Sequence, residues 1–274
     1  MTLRDALARV ADELAAAGVP SPRVDAEHLV CAATGLTRTQ LYLDDRELRK
    51  EEARRLRDLV SRRRAREPLA YVLGEWGFRR LTLKVDPRVL IPRPETEIVV
   101  ERCLALLAGH ERPAVLDVGT GSAAIALAIA DEHPGARVRA IDASAEALAV
   151  AEENAGETGL AVELVLHDAT AGLPPGPYDL VVANPPYVPA AEIPGLAAEV
   201  RDWEPRAAIL ESGGTEAVIQ GAKRVLRPGG WLVLETHWER ARDVAGALAQ
   251  NGYVLTRISE DLAGRERVVE GRWR

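Results

Sequence analysis

The chain reads as an α/β protein: a small helical bundle, then a β-hairpin, then a doubly wound, mostly parallel sheet. Three observations predict this. From Ala114 onward, short apolar runs alternate with helical stretches, the pattern of a parallel sheet covered by helices on both faces. Residues 1–66 instead carry apolar side chains at helical spacing, interrupted by Gly and Pro. Between the two, Leu81-Thr82-Leu83-Lys84-Val85 alternates with period two, as a strand does.

Leu3 to Ala17 places Leu3, Ala6, Leu7, Val10 and Leu14 on one helical stripe, and Gly18 and Pro20 stop it. Ser21 to Thr34 follows as a second helix, with Asp25, Glu27 and His28 expected to face outward, and Thr37 to Tyr42 as a third. Leu48 to Arg66 is a long basic helix carrying Arg54, Arg55, Arg57, Arg62, Arg63, Arg64 and Arg66. It reads either as a solvated face or as a docking face for an acidic protein or RNA. Residues 1–70 thus form a helical recognition domain, and residues 71–93 a β-hairpin linker containing Gly74-Glu75-Trp76-Gly77-Phe78. Residues 94–274 form the sheet domain. In Ile91-Pro92-Arg93-Pro94-Glu95-Thr96-Glu97 two prolines impose an extended path, and Glu95, Thr96 and Glu97 open a helix through Leu107. Strands are expected at 114–118, 137–142, 162–167, 179–183 and 231–235. Two more, near 253–257 and 266–272, pair antiparallel at one edge. Helices fall near 122–132, 144–157, 215–226 and 239–250.

The chain has 274 residues, 47% hydrophobic and 28% charged, as a globular protein does. Its net charge of −7 argues against stable nucleic-acid binding, which leaves a basic footprint. Cys31 and Cys103 are too few and too far apart for a disulfide framework or zinc site, which points to a reducing cytoplasm. No apolar run approaches membrane-spanning length, and charges throughout residues 1–20 exclude a signal peptide, so no membrane partner is expected. The spacing of His133, His167 and His237 makes no metal site.

Two stretches carry chemistry. Asp117-Val118-Gly119-Thr120-Gly121-Ser122-Ala123-Ala124 joins the first sheet strand to its helix, and its glycines permit a tight turn and close approach of a ligand. By itself this loop serves a dinucleotide as well as S-adenosylmethionine. Asp142 ends the second strand about 20 residues on, where a carboxylate takes both ribose hydroxyls. Asp168 ends the third and can face an adenine amino group. The second stretch is Asn184-Pro185-Pro186-Tyr187, closing the apolar run Tyr178–Ala183. Asn184 precedes a proline and is pushed extended. Neither proline has an N–H, so the Asn184 amide oxygen and the nearby carbonyls are left to accept hydrogen bonds from a ligand. Tyr187 adds a flat apolar wall. A planar NH2-bearing group fits this corner; the plain alternative is a strand-ending turn, since Asn and Pro are ordinary turn residues.

The corner resembles the signature of methyltransferases acting on planar amino groups: adenine N6, cytosine N4 or a glutamine amide. Over nearly its whole length the chain resembles the HemK/PrmC family, the glutamine-N5 methyltransferases of peptide chain release factors. The likeness rests on the helical N-terminal domain, the hairpin, Ile91–Glu97, the Gly119 loop, Asn184–Tyr187, Glu204-Pro205 and Gly264-Arg265-Glu266-Arg267-Val268. It implies a Rossmann-like class I S-adenosylmethionine-dependent methyltransferase domain with a seven-stranded, mostly parallel sheet. It also implies that Gly119, Thr120, Gly121, Ser122, Ala123, Asp142, Asp168, Ala169 and Asn184 hold S-adenosyl-L-methionine, released as S-adenosyl-L-homocysteine. Asn184, Pro185, Pro186 and Tyr187 would bind the glutamine, with Asn184, Pro185 and Tyr187 acting in catalysis. The implied partner is a class 1 release factor presenting its Gly-Gly-Gln loop. The chain departs from the family pattern at Ala123, often Gly; at Ala169, often aromatic; at Glu235-Thr236-His237-Trp238; and at Gly213-Gly214-Thr215-Glu216. Loss of the aromatic implies weaker cofactor affinity.

Three other readings compete. The ribosomal-protein glutamine methyltransferases differ in the Ile91–Glu97 region. A DNA or RNA amino-methyltransferase would need a basic cleft and a pocket for a flipped base. A non-enzymatic cofactor-binding protein would have no use for the Asn184 corner.

Overall fold

The computed structural model describes residues 1–274. The chain divides into two compact units, Met1–Glu75 with Ala197–Trp203, and Trp76–Leu196 with Glu204–Arg274.

The first unit is helical: α1 (Leu3–Ala16), α2 (Pro22–Thr34), α3 (Arg38–Leu43), α4 (Lys50–Arg64) and α5 (Leu69–Leu73). Thr2 and Asp5 cap α1 reciprocally, each side chain accepting the other's backbone N–H. Pro22 starts α2 and Gly35, at φ 72°, ends it. Leu3, Ala6, Val10 and Leu14 meet Leu29, Val30, Leu56 and Val60 in one apolar core.

Two expectations fail here. Asp25 and Glu27 do not face outward; they are 6% and 4% exposed. The reason is ionic. Arg63 of the basic helix is itself buried and donates to Asp25 at 2.7 Å, while Glu27 is partnered by Arg38 and Tyr42. The basic run therefore splits. Arg54, Arg55, Arg57 and Arg64 are exposed, whereas Arg63 and Arg66 turn inward onto Glu199 at 2.8 and 2.6 Å. Glu199 lies in α9 (Ala198–Trp203), an element without a sequence signal. Burial would raise its carboxyl, but Arg66 and Arg63 hold it down at about 2. The stretch expected to begin the hairpin also starts differently: α5 forms first and stops at Gly74, φ 84°.

The hairpin strands are β1 (Glu75–Phe78) and β2 (Leu81–Lys84). The second unit continues through α6 (Thr96–Leu107), β3 (Ala114–Val118), α7 (Ala124–Glu132), β4 (Arg137–Asp142), α8 (Ala145–Thr158), β5 (Val162–Leu166) and β6 (Tyr178–Ala183). It closes with α10 (Gly214–Val225), β7 (Leu226–Glu235), α11 (Ala241–Gln250), β8 (Val254–Glu260) and β9 (Glu266–Arg272). The seven-stranded order is β5-β4-β3-β6-β7-β9-β8. Only β9 runs against the others: it sits between β7 and β8, antiparallel to both. β7 starts earlier than its apolar run suggests, because Leu226 already pairs with Tyr178 before an irregularity restores register at Trp231.

Every residue of β6 is buried, as expected of a central strand. One face of the sheet packs on Val99, Val100 and Cys103 of α6 and on Ile125–Ile129 of α7. The other packs on Val218 and Ile219 of α10 and on Val244 and Leu248 of α11. No helix is long and apolar enough to cross a membrane.

Candidate active site

The strand order reverses direction between β3 and β6: β4 and β5 lie on one side, β7 on the other. Such a switch opens a crevice beyond the carboxyl ends of the strands. Register then decides which residues meet there. Val118 pairs with both Ile141 and Ala183, and Ala183 with Leu234. Gly119, Asp142, Asn184 and Glu235 are the next residues on four neighbouring strands, so one sheet edge carries all four.

The loop after β3 is held from below. Gly119 and Thr120 donate their N–H groups to the Ile141 carbonyl at 2.8 and 3.0 Å. Gly121 donates to the Asp142 carboxylate at 2.9 Å, whose other oxygen takes the Ser144 N–H at 2.9 Å. Gly119 and Gly121 adopt φ 73° and 56°, and an added Cβ at either would meet nothing within 4 Å. The loop's outer surface is therefore open to a ligand. Beneath it, Thr120 donates to Asp117 at 2.6 Å, and the second Asp117 oxygen is buried without a partner. Burial pushes the Asp117 carboxyl up to about 7. An open glycine cradle, a half-buried carboxylate at a strand end and an orphaned acceptor below together suit an extended cationic nucleoside. They fit the expected S-adenosylmethionine.

Not all of the expected cofactor residues present side chains. Thr120, Ser122 and Ala123 are buried, leaving Gly119 and Gly121 as the more exposed residues of the loop. Asp168 is exposed and accepts from the Thr170 N–H and hydroxyl, both at 2.8 Å, which holds its carboxyl below the usual range. Ala169 packs against the apolar face below it and borders a cavity of about 430 Å3, shared with Leu173 and Gly221.

Ala123 takes φ 64°, a left-handed conformation that glycine adopts more readily. The left-handed conformation costs a non-glycine residue about 1–2 kcal/mol. Its fully buried methyl returns about 0.8 kcal/mol, and alanine loses about 0.4–1 kcal/mol less chain entropy than glycine. These nearly cancel, which is why alanine is tolerated. Ala123→Gly is expected to leave urea stability within about 0.5 kcal/mol, whereas Ala123→Val should lose at least about 2 kcal/mol to overpacking and strain. Equal stability for the two variants would refute the balance.

Asn154 was not singled out by sequence, yet it ties this loop to the hairpin. It is 1% exposed. Its Oδ1 accepts the Lys84 N–H at 2.7 Å, and its Nδ2 donates to the carbonyls of Lys84 and Ser122 at 3.1 and 3.0 Å. A buried asparagine on a helix gives no signal until its partners, distant in sequence, are known.

The corner after β6 is equally anchored. Pro185 is buried and packs on Gly214, where an added Cβ would stand 3.5 Å from the proline's own Cβ. Beyond Tyr187 the chain pairs with a distant segment: Val188 donates to the Ile209 carbonyl at 3.0 Å and Glu211 to the Val188 carbonyl at 2.9 Å. Asn184 is half-buried, and its Nδ2 donates to Thr96 Oγ1 at 3.4 Å. Tyr187 is half-buried too. Its hydroxyl donates to Glu235 at 3.5 Å, and its ring lies 6.2 Å from that of His237. Burial, then the Glu235 charge, pushes the Tyr187 phenol up to about 12. Arg93 clamps the buried Glu204 at 2.6 and 2.8 Å, joining the Ile91–Glu97 segment to the Glu204-Pro205 pair.

Residues 5–74 match the family model described as PrmC N-terminal domain, and residues 97–202 that described as Methyltransferase small domain. The chain is 40% identical over 278 residues to a release factor glutamine methyltransferase of Geobacter sulfurreducens, covering 99% of this chain and 96% of the relative. It is 44% identical over 277 residues to one of Moorella thermoacetica, covering 97% of each. A solved protein-(glutamine-N5) methyltransferase (release factor-specific) from Alicyclobacillus acidocaldarius is 28% identical, covers 70% of this chain and 99% of its own, and superposes with a TM-score of 0.43.

Proposed function

The chain belongs to the family of release factor glutamine methyltransferases, and from that premise we propose that it moves a methyl group from S-adenosylmethionine to the side-chain amide nitrogen, N5, of a glutamine in a class 1 release factor. The observation that carries this reading is the corner itself. Asn184 sits one strand from the glycine loop, its NH2 already donated to Thr96 and its oxygen therefore available as an acceptor.

An amide nitrogen is a weak nucleophile because its lone pair is delocalised into the carbonyl. Asn184 Oδ1 and the Pro185 carbonyl accept the two amide hydrogens, which fixes the nitrogen and favours partial loss of planarity. Tyr187 holds the amide plane. S-adenosylmethionine, when bound across Gly119, Gly121 and Asp142, supplies a methyl group on a cationic sulfur that leaves with the bond's electron pair. The glutamine nitrogen would form the new N–C bond as the carbon–sulfur bond breaks, and would then release one proton to solvent water. Holding the nitrogen in line supplies roughly 7–11 kcal/mol of barrier reduction in well-aligned cases. Residues 1–70 recognise the body of the release factor, with the exposed arginines of α4 as the contact face.

The test is incubation with labelled S-adenosylmethionine and, separately, a release factor, a ribosomal protein and DNA. Label is expected in the release factor, on a glutamine. Label in the ribosomal protein or in DNA alone would overturn the assignment.

A further inference from the structure

We propose that Glu235 is a positioning residue: level with Asn184 and beside Thr96, its carboxylate keeps the Asn184 side chain turned with its oxygen toward the substrate. The inference rests on the glutamine reading of the corner.

Glu235 ends β7 level with Asn184 and is 1% exposed. Its Oε1 accepts from Tyr187 at 3.5 Å. Its Oε2 is buried without a hydrogen-bond partner, although Thr96 and Asn184 stand close enough to favour the charged form. A buried, underused carboxyl is destabilising, so its place directly behind the corner calls for a reason.

Hydrogen-bond polarity supplies one. An asparagine amide presents an acceptor at one end and two donors at the other. Only the oxygen can receive an N–H from a substrate amide; a flipped Asn184 would set donor against donor. Something behind Asn184 must therefore accept its NH2. Thr96 Oγ1 does so at 3.4 Å, and its own hydrogen then needs an acceptor. The Glu235 carboxylate, close to both Thr96 and Asn184, is an acceptor only, so while charged it can receive a hydrogen from either side chain but offer none to them. Protonated, Glu235 can instead donate to Thr96 and compete with Asn184. Burial pushes Glu235 up to about 7, with Glu95 adding to the rise and Thr96, Arg267 and Asn184 opposing it. Tyr187 also faces it, with Arg93 and His237 beyond that ring.

In the full chain, assayed with S-adenosylmethionine and a release factor, wild-type kcat is expected to rise as pH passes through about 7. In Glu235→Gln the slope should vanish and kcat fall by about 10- to 100-fold, with KM little changed. Thr96→Val should behave likewise and Thr96→Ser should recover. The Asn184 side-chain 15N signals, identified by their loss in Asn184→Ala, should titrate near pH 7 in the wild type and not in Glu235→Gln. A pH profile and kcat in Glu235→Gln matching the wild type, or wild-type Asn184 signals that do not titrate, would overturn the role. A wild type inactive on release factors but with the Asn184 titration intact would sink the substrate assignment and uphold the coupling.

Discussion

Replacing Asn184 with Ala is expected to lower kcat by on the order of 100- to 1,000-fold or more, with S-adenosylmethionine affinity nearly unchanged. The size follows from what the residue does. Asn184 Oδ1 is one of two acceptors proposed to hold the glutamine amide, and removal of one aligned polar contact at a reacting centre has that effect in comparable sites. The separation from cofactor binding follows from placement. The glycine loop is supported by Ile141, Asp142 and Asp117, none of which leans on Asn184. A fall in kcat without a matching rise in cofactor Kd, measured by turnover and calorimetry, is the expected pair. A variant that turns over at near wild-type rate would end the account of the corner.

Asp142→Ala acts on the opposite half of the crevice. S-adenosylmethionine should bind about 100-fold more weakly, since hydrogen bonds to a charged group each contribute about 1.5–3 kcal/mol and a tenfold change is about 1.4 kcal/mol. Two effects combine. The ribose hydroxyls lose their proposed acceptor, and the N–H groups of Gly121 and Ser144 lose the one they have. Asp142→Asn keeps an acceptor oxygen but cannot serve both N–H groups and the ribose, so it should fall between the two. Calorimetric titration decides the matter: an unchanged Kd in Asp142→Ala would remove this carboxylate from the cofactor site. The two variants also test each other, because residues on separate strands with no shared partner should show nearly additive losses in kcat/KM.

Much of this was legible in the chain itself. All seven strands of the large sheet fall at or next to stretches read as strands, and β6 announces itself most clearly, because a strand buried on both faces must be apolar along its length. Gly119 and Gly121 declare a turn that only glycine adopts readily, and the two prolines after Asn184 declare a corner poor in donors. What stayed hidden has a common character. Asp25 and Glu27 look like solvated residues until Arg63, Arg38 and Tyr42 close over them. Asn154 is an ordinary helix residue until β2 and the Ser122 carbonyl arrive beside it.

By itself, then, the order of amino acids determined most of the strands and the longer helices, the glycine bend and the proline corner, since each is set by periodicity or by the dihedral limits of single residues; α5, α9 and the early start of β7 were not among them. Only the tertiary structure decided that Asn184 and Glu235 stand level on neighbouring strands, that Thr96 closes the gap to Asn184, and that Arg93 meets Glu204. The physical reason is that a polar side chain's meaning depends on its partner, and partners are brought together by strand register and by helix and loop packing across 51 to 111 residues of chain, a relation no local pattern records.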